Sequence, residues 1–205
     1  MEEEDRTNIQ LGLGMGLFDT TVGFDDDQDV DIKMTAVSLA GTWLFGERWS
    51  ARAGFGVLTD GTLDTRDGAT HDVDSGGLVS VGAEYRANVG QGSTPTLDIS
   101  MALGWSWAKT LAPGSTAKTD YSAADVRFGA RAGWLVGSNF FPYAAVRLFG
   151  GPVNWQLDGE DVTGSDKYHY QVALGAAVTS GIVGVFAEWA GLGERGFSAG
   201  LSAAW

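Results

Sequence analysis

The chain has 205 residues, a net charge of −13, 44% apolar and 19% charged residues, no Cys and two His. That length fits one domain or one closed barrel, and the apolar share excludes a disordered chain. The composition also excludes a disulfide framework and a thiolate metal site, leaves almost nothing for a zinc or Ser/His enzyme, and offers no basic face to nucleic acid.

The predicted elements run as follows. Met1, followed at once by Glu2, Glu3, Glu4 and Asp5, reads like a mature chain restarted with a Met, and residues 1–6 form a tail. From Thr7 the pattern has period two. Ile9, Leu11, Leu13, Met15 and Leu17 alternate with Asn8, Gln10, Gly12, Gly14 and Gly16, as in a strand with one apolar face. The same alternation places strands around Val37–Phe45, Trp49–Val57, Val79–Val89, Leu97–Trp107 and Val126–Val136. A seventh strand carries Ala144, Val146 and Leu148 on its apolar face, and Gly150, Gly151 and Pro152 suggest a bulge before Trp155. Strands around Tyr168–Val178, Val183–Trp189 and Phe197–Trp205 complete ten, with no helix candidate. Short connections are expected near 46–48, 90–95, 137–140 and 180–181, and long ones near 24–31, 59–75, 109–120, 157–166 and 190–196.

Short turns on one rim and long loops on the other describe an up-and-down meander. The fold class is therefore all-β: a ten-stranded antiparallel up-and-down transmembrane β-barrel, one domain over 1–205. No apolar run nears the roughly 18 residues of a membrane-spanning helix, so any crossing is made by strands. The aromatic residues decide which face is outside. Trp43, Phe45, Trp49, Tyr85, Trp134, Phe140, Phe141 and Trp205 fall toward the short turns. Trp105, Trp107, Tyr121, Trp155, Tyr168, Tyr170, Trp189 and Phe197 fall toward the long loops. Two such belts suit two membrane interfaces, with Val, Leu, Ile, Met and Ala facing lipid between them.

With these features the chain resembles the outer-membrane β-barrel proteins of Gram-negative bacteria, at the level of architecture. The ending Gly200-Leu201-Ser202-Ala203-Ala204-Trp205 resembles their C-terminal assembly signal, with Ala203 where a bulkier residue is usual. The resemblance implies a barrel in the bacterial outer membrane, with periplasmic termini and extracellular acidic loops. Its partners would be the lipid bilayer, lipopolysaccharide and, through the strand ending at Trp205, the assembly machinery. It also implies a monomer with no nucleic acid partner.

The face opposite the apolar one carries Arg48, Arg52, Arg86, Arg127, Arg131, Arg147 and Lys167 against Glu84, Asp98, Asp125 and Glu188, an interior of net positive charge. Symmetry about the turns predicts one row of Arg86, Asp98, Arg131 and Arg147. The candidate lumen network or constriction is thus Arg52, Glu84, Arg86, Asp98, Arg127, Arg131 and Arg147. It reads as an ion-pair plug in preference to an anion constriction, because side chains can fill a small barrel. Asp25, Asp27 and Asp29 are spaced like the start of a calcium loop, but Val30 stands where its Gly belongs and Ala36 where its closing Glu belongs. A solvated acidic surface is the favoured reading, and no metal or cofactor is expected.

Gly191-Leu192-Gly193-Glu194-Arg195-Gly196 matches GxGxxG, but no helix can follow it. His71 and His169 sit without a catalytic motif, so no enzyme is expected. The functional expectation is a structural or surface-interaction barrel, or a narrow pore with an Arg-rich lumen. The alternative is a small outer-membrane hydrolase, acting on lipid or peptide at the extracellular rim through His169 or His71.

Overall fold

The computed structural model describes residues 8–24, 28–90, 94–157 and 159–205. Twelve strands follow in chain order: β1 (Ile9–Phe24), β2 (Gln28–Phe45), β3 (Trp49–Thr65), β4 (Thr70–Asn88), β5 (Thr96–Leu111), β6 (Lys118–Gly133), β7 (Phe140–Gly150), β8 (Pro152–Leu157), β9 (Glu160–Asp166), β10 (Tyr170–Ser180), β11 (Val183–Gly193) and β12 (Arg195–Ala204). All pairings are antiparallel. Ten strands form a closed ring in which β7 pairs with β10 and β12 returns to β1, with Asp19 opposite Arg195 and Gln10 opposite Ala204. Closure leaves no strand edge in that ring.

The other two strands make a second ring. β8 continues β7 up the side of β6, and β9 leaves the β10–β11 side to pair with β1, Val22 standing opposite Asp166. At the far end from the termini the ring is therefore β1 to β6 plus β8 and β9, eight staves in place of ten. The β11–β12 hairpin stops beneath this step, its Glu194 amide donating to the Tyr170 carbonyl at 3.0 Å.

The two rings differ in what faces out. In the wide ring the odd residues of β1, from Ile9 to Leu17, are exposed, and so are Val81, Ile99, Met101, Phe128 and Leu201 on other staves. Small residues such as Gly12, Gly14, Gly16 and Ser100 face inward. Above Phe18 the polarity inverts. Val22, Phe24, Val30, Ile32, Met34, Leu58, Leu63, Tyr121, Val153 and Trp155 pack into one buried cluster inside the narrow ring, while Asp29, Asp31, Lys33 and Asp64 take the outward positions. An exposed apolar band this large is unsuited to water, whereas the narrow ring is built as a water-soluble barrel is.

The structure corrects several expectations. The stretches 59–75 and 160–166 are largely strand, 109–120 is strand up to Leu111 and from Lys118, and 24–31 is strand at its described residues, 25–27 and 158 lying outside them; the alternation continues there with its polarity reversed. Residues 190–196 are strand on both sides of Glu194. Tyr121 and Trp155 belong to the narrow ring's core, 6% and 1% exposed, and not to an outer aromatic belt. No bulge occurs at Gly151. β7 and β8 keep one register against β6, from Gly133 opposite Tyr143 to Tyr121 opposite Trp155. Gly151 is needed for close approach, since a Cβ there would lie 1.8 Å from the Ala124 carbonyl oxygen. Lys167 does not face the lumen; its Nζ donates to Asp29 at 2.6 Å. Arg48 lies in the β2–β3 turn and donates to the Tyr85 hydroxyl at 3.4 Å.

Candidate functional site

The lumen of the wide ring is crossed by three tiers of charge. Nearest the termini, Asp98 of β5 stands opposite Arg86 of β4 and Arg131 of β6. It is 2% exposed, accepting from Arg86 Nε at 3.0 Å and from Arg131 Nη2 at 2.8 Å. Arg131 also reaches Glu84, at 3.2 Å, and lies over the Tyr143 ring. A carboxylate this buried is tolerated because two guanidinium groups replace its water.

One step up, Arg147 of β7 stands opposite Gly129 and Gln171. Its two terminal nitrogens meet the two oxygens of Glu188 at 2.7 and 2.8 Å, and Nη1 also donates to Gln171 Oε1 at 2.6 Å. The predicted row therefore holds for Arg86, Asp98 and Arg131, but Arg147 is not in it. Arg131 is opposite Ala145, so Arg147 lies one pair higher.

In the third tier Arg127 of β6 takes both oxygens of Glu194, at 3.1 and 3.3 Å, and reaches Asp125 at 3.0 Å, with its guanidinium over Phe149. Gln171 ties the upper tiers together, accepting from Arg147 and donating to Glu194 at 2.9 Å. Glu194 is a member that the sequence pattern does not reveal. Gly191 is skipped where β10 and β11 shift register, and the alternation that reveals Glu188 stops there. The three tiers join four arginines to five carboxylates, so the network is not the net-positive interior expected. Arg52, opposite Thr42 and Gly82, has no ion pair among the described residues.

Above the third tier the lumen meets the apolar core of the narrow ring. Trp155 donates to the Thr110 hydroxyl at 3.0 Å and packs edge-on against His71, ring centroids 4.8 Å apart. His71 is 6% exposed and its Nδ1 has no hydrogen-bond partner among the described residues. His169 is exposed, at the bend between β9 and β10. Asp166 anchors β9 to β1, accepting from the Thr20 hydroxyl at 2.8 Å, and burial pushes its carboxyl up from the ordinary value. Burial likewise pushes the Tyr121 phenol up.

On the outer surface carboxylates are matched by lysines: Asp74 with Lys118 at 2.6 Å, Asp64 with Lys33 at 3.7 Å, and Asp120 with Lys109. The hydrogen bond from Lys118 holds Asp74 below the usual carboxylate range. Of the candidate calcium ligands, Asp29 is paired with Lys167, and Asp25 and Asp27 lie outside the described residues. Among the described residues no group of three acidic or imidazole side chains is arranged to hold a metal.

No family model matches the chain, and no curated protein matches it. Solved structures do. The chain is similar to the translocator domain of the autotransporter NalP from Neisseria meningitidis, at 13% identity and a TM-score of 0.56, over 99% of this chain and 90% of that one. It is also similar to the outer membrane protease OmpT from Escherichia coli, at 11% identity and a TM-score of 0.59, over 99% of this chain and 98% of that one. At such identities the likeness speaks for architecture: the fold is that of the Gram-negative outer-membrane β-barrels.

Proposed function

We propose that the chain is a closed outer-membrane barrel with a structural or surface-interaction role. Its wide ring would cross the bilayer as a ten-stranded up-and-down barrel with periplasmic termini. Its narrow ring would stand outside the cell as an acidic, rigid surface, with lipopolysaccharide around it. The final strand, ending at Trp205, would be read by the assembly machinery, and the barrel would act as a monomer. The observation that carries this reading is the filled narrow ring. Leu63 and Val30 are 0% exposed and Trp155 1%, so the lumen above the Arg127 tier is occupied by packed side chains. Small barrels close in this way when interior side chains meet across the axis. The ion-pair tiers below support the same reading, since each guanidinium is already matched by carboxylate and offers little to a passing anion. We read the chain as non-catalytic, because His71 is enclosed and the lumen carboxylates are held in ion pairs. Planar-bilayer recording tests the proposal. A closed barrel gives no current steps at high salt, whereas regular steps with anion preference would establish an Arg-lined pore instead.

A further inference from the structure

We propose that the step between the two rings holds a binding groove for a phosphorylated acyl lipid of the outer leaflet, with Arg195 as the phosphate anchor. This rests on the membrane reading above. A cavity of about 670 Å³ lies across the outward faces of β11, β12, β1, β2 and β3, where the β11–β12 hairpin ends. Its floor is two cross-strand rows. The lower row runs Trp189, Phe197, Leu17, Thr35 and Asp60; the upper runs Arg195, Asp19, Lys33 and Thr62. One end of the lower row is thus apolar, with Trp189, Phe197 and Leu17 exposed. The row directly above it carries Arg195, opposite Asp19, and Lys33, which is paired with Asp64 at 3.7 Å.

That order, apolar below and cationic above at the upper limit of the apolar band, matches a lipid whose acyl chain lies below its phosphate. Arg195 is exposed and, among the described residues, makes no ion pair, unlike Lys118, Lys167 and Lys109 on the same outer surface. A guanidinium fork suits two phosphate oxygens. Asp19, Asp60 and the Asp64 that pairs with Lys33 outnumber Arg195 and Lys33, so the groove has no net positive charge with which to draw a free phosphate from water. A headgroup already delivered by its acyl chain needs only the local guanidinium. The chemistry therefore favours a lipid over the inorganic ion.

The test places the barrel in phosphatidylcholine nanodiscs doped with a bisphosphorylated glycolipid or with the same glycolipid stripped of phosphate, and reads bound lipid by native mass spectrometry. The wild type should retain the phosphorylated form about tenfold over the stripped one. Arg195→Gln should bring the ratio near one, and Lys33→Gln should lower it. Lys109→Gln, outside the groove, should leave it unchanged. Millimolar inorganic phosphate should displace nothing. Full preference in Arg195→Gln, an equal loss in Lys109→Gln, or displacement by inorganic phosphate would each overturn the groove. A barrel that fails to enter the nanodisc overturns the membrane reading and the groove together; one that enters and shows no preference overturns the groove alone.

Discussion

Glu194, the single residue between β11 and β12, grips Arg127 of β6 through both carboxylate oxygens, at 3.1 and 3.3 Å. The shortest hairpin of the wide ring is thereby bolted to a stave on another side of the barrel. Glu194 is 6% exposed, and Glu194→Gln leaves Arg127, a third exposed, with Asp125 at 3.0 Å as its remaining carboxylate. Losing the two charge-assisted hydrogen bonds while Asp125 stays in place costs about 1–3 kcal/mol, less than breaking a fully buried pair. The expected result is a loss of that order in urea unfolding of the reconstituted barrel. Arg127→Met added to Glu194→Gln should recover part of it, because the charge then left without its partner is Asp125, whose side chain is 35% exposed to water.

Trp155 is the keystone of the narrow ring, held by Thr110 and packed against His71 and Phe24. Trp155→Ala should cost about 3–5 kcal/mol in the stability of that ring. It should also loosen the plug, so that a variant combining Trp155→Ala with Leu63→Ala shows current flicker in planar bilayers where the wild type is silent. A double variant as silent as the wild type would locate the barrier in the ion-pair tiers instead.

The wide ring is legible in the sequence because lipid-type and lumen-type residues alternate strictly along Ile9–Leu17 or Leu97–Trp107. The narrow ring keeps the same alternation, but its apolar set moves to the lumen side: Val22 and Phe24, then Val30, Ile32 and Met34. With Asp29, Asp31 and Lys33 between them, these stretches read as acidic loops. A search for alternation that ignores its sign finds the strands. The row of Arg86, Asp98 and Arg131 follows from simple turn symmetry. Arg147 falls outside that row because the bridge between Val136 and Phe140 centres the β6–β7 turn on residue 138, one residue before the centre that pairing Arg131 with Arg147 requires. Glu194 has no periodic signal, since the register shift at Gly191 intervenes.

Asp166 sets one pH dependence. Its carboxyl is raised by burial, so the folded chain holds that proton more tightly than the unfolded chain does. The resulting stability is fully present below the ordinary value of 3.8 and is lost as pH rises through the raised one. At neutral pH the ionised carboxylate therefore weighs against the β9–β1 contact. Asp166→Asn should make the β8–β9 hairpin more resistant to protease at pH 7, with the advantage shrinking toward pH 3. Asp74 has the opposite sign. Lowered by Lys118, it supports the fold above 3.8 and loses that support as pH falls through its depressed value. Lys118→Met should remove this acid sensitivity and leave the Asp166 effect in place.

Gly151 and Gly159 separate two reasons for glycine in the same hairpin. Gly159 has φ of 86° and open space for 4 Å around the position a Cβ would take, so Gly159→Ala meets only the left-handed backbone penalty, about 1–2 kcal/mol. Gly151 has no such φ, but its Cβ would lie 1.8 Å from the Ala124 carbonyl oxygen, a main-chain atom that no rotamer can move. Gly151→Ala must therefore push β8 off β6, breaking the register that sets Trp155 opposite Tyr121. The expected outcome is a hairpin cut readily by protease while the wide ring still migrates as a folded barrel on an unheated gel. If Gly151→Ala were cut no faster than Gly159→Ala, β8 would not depend on the close approach at Ala124, and the unbroken run from β7 into β8 would need another cause.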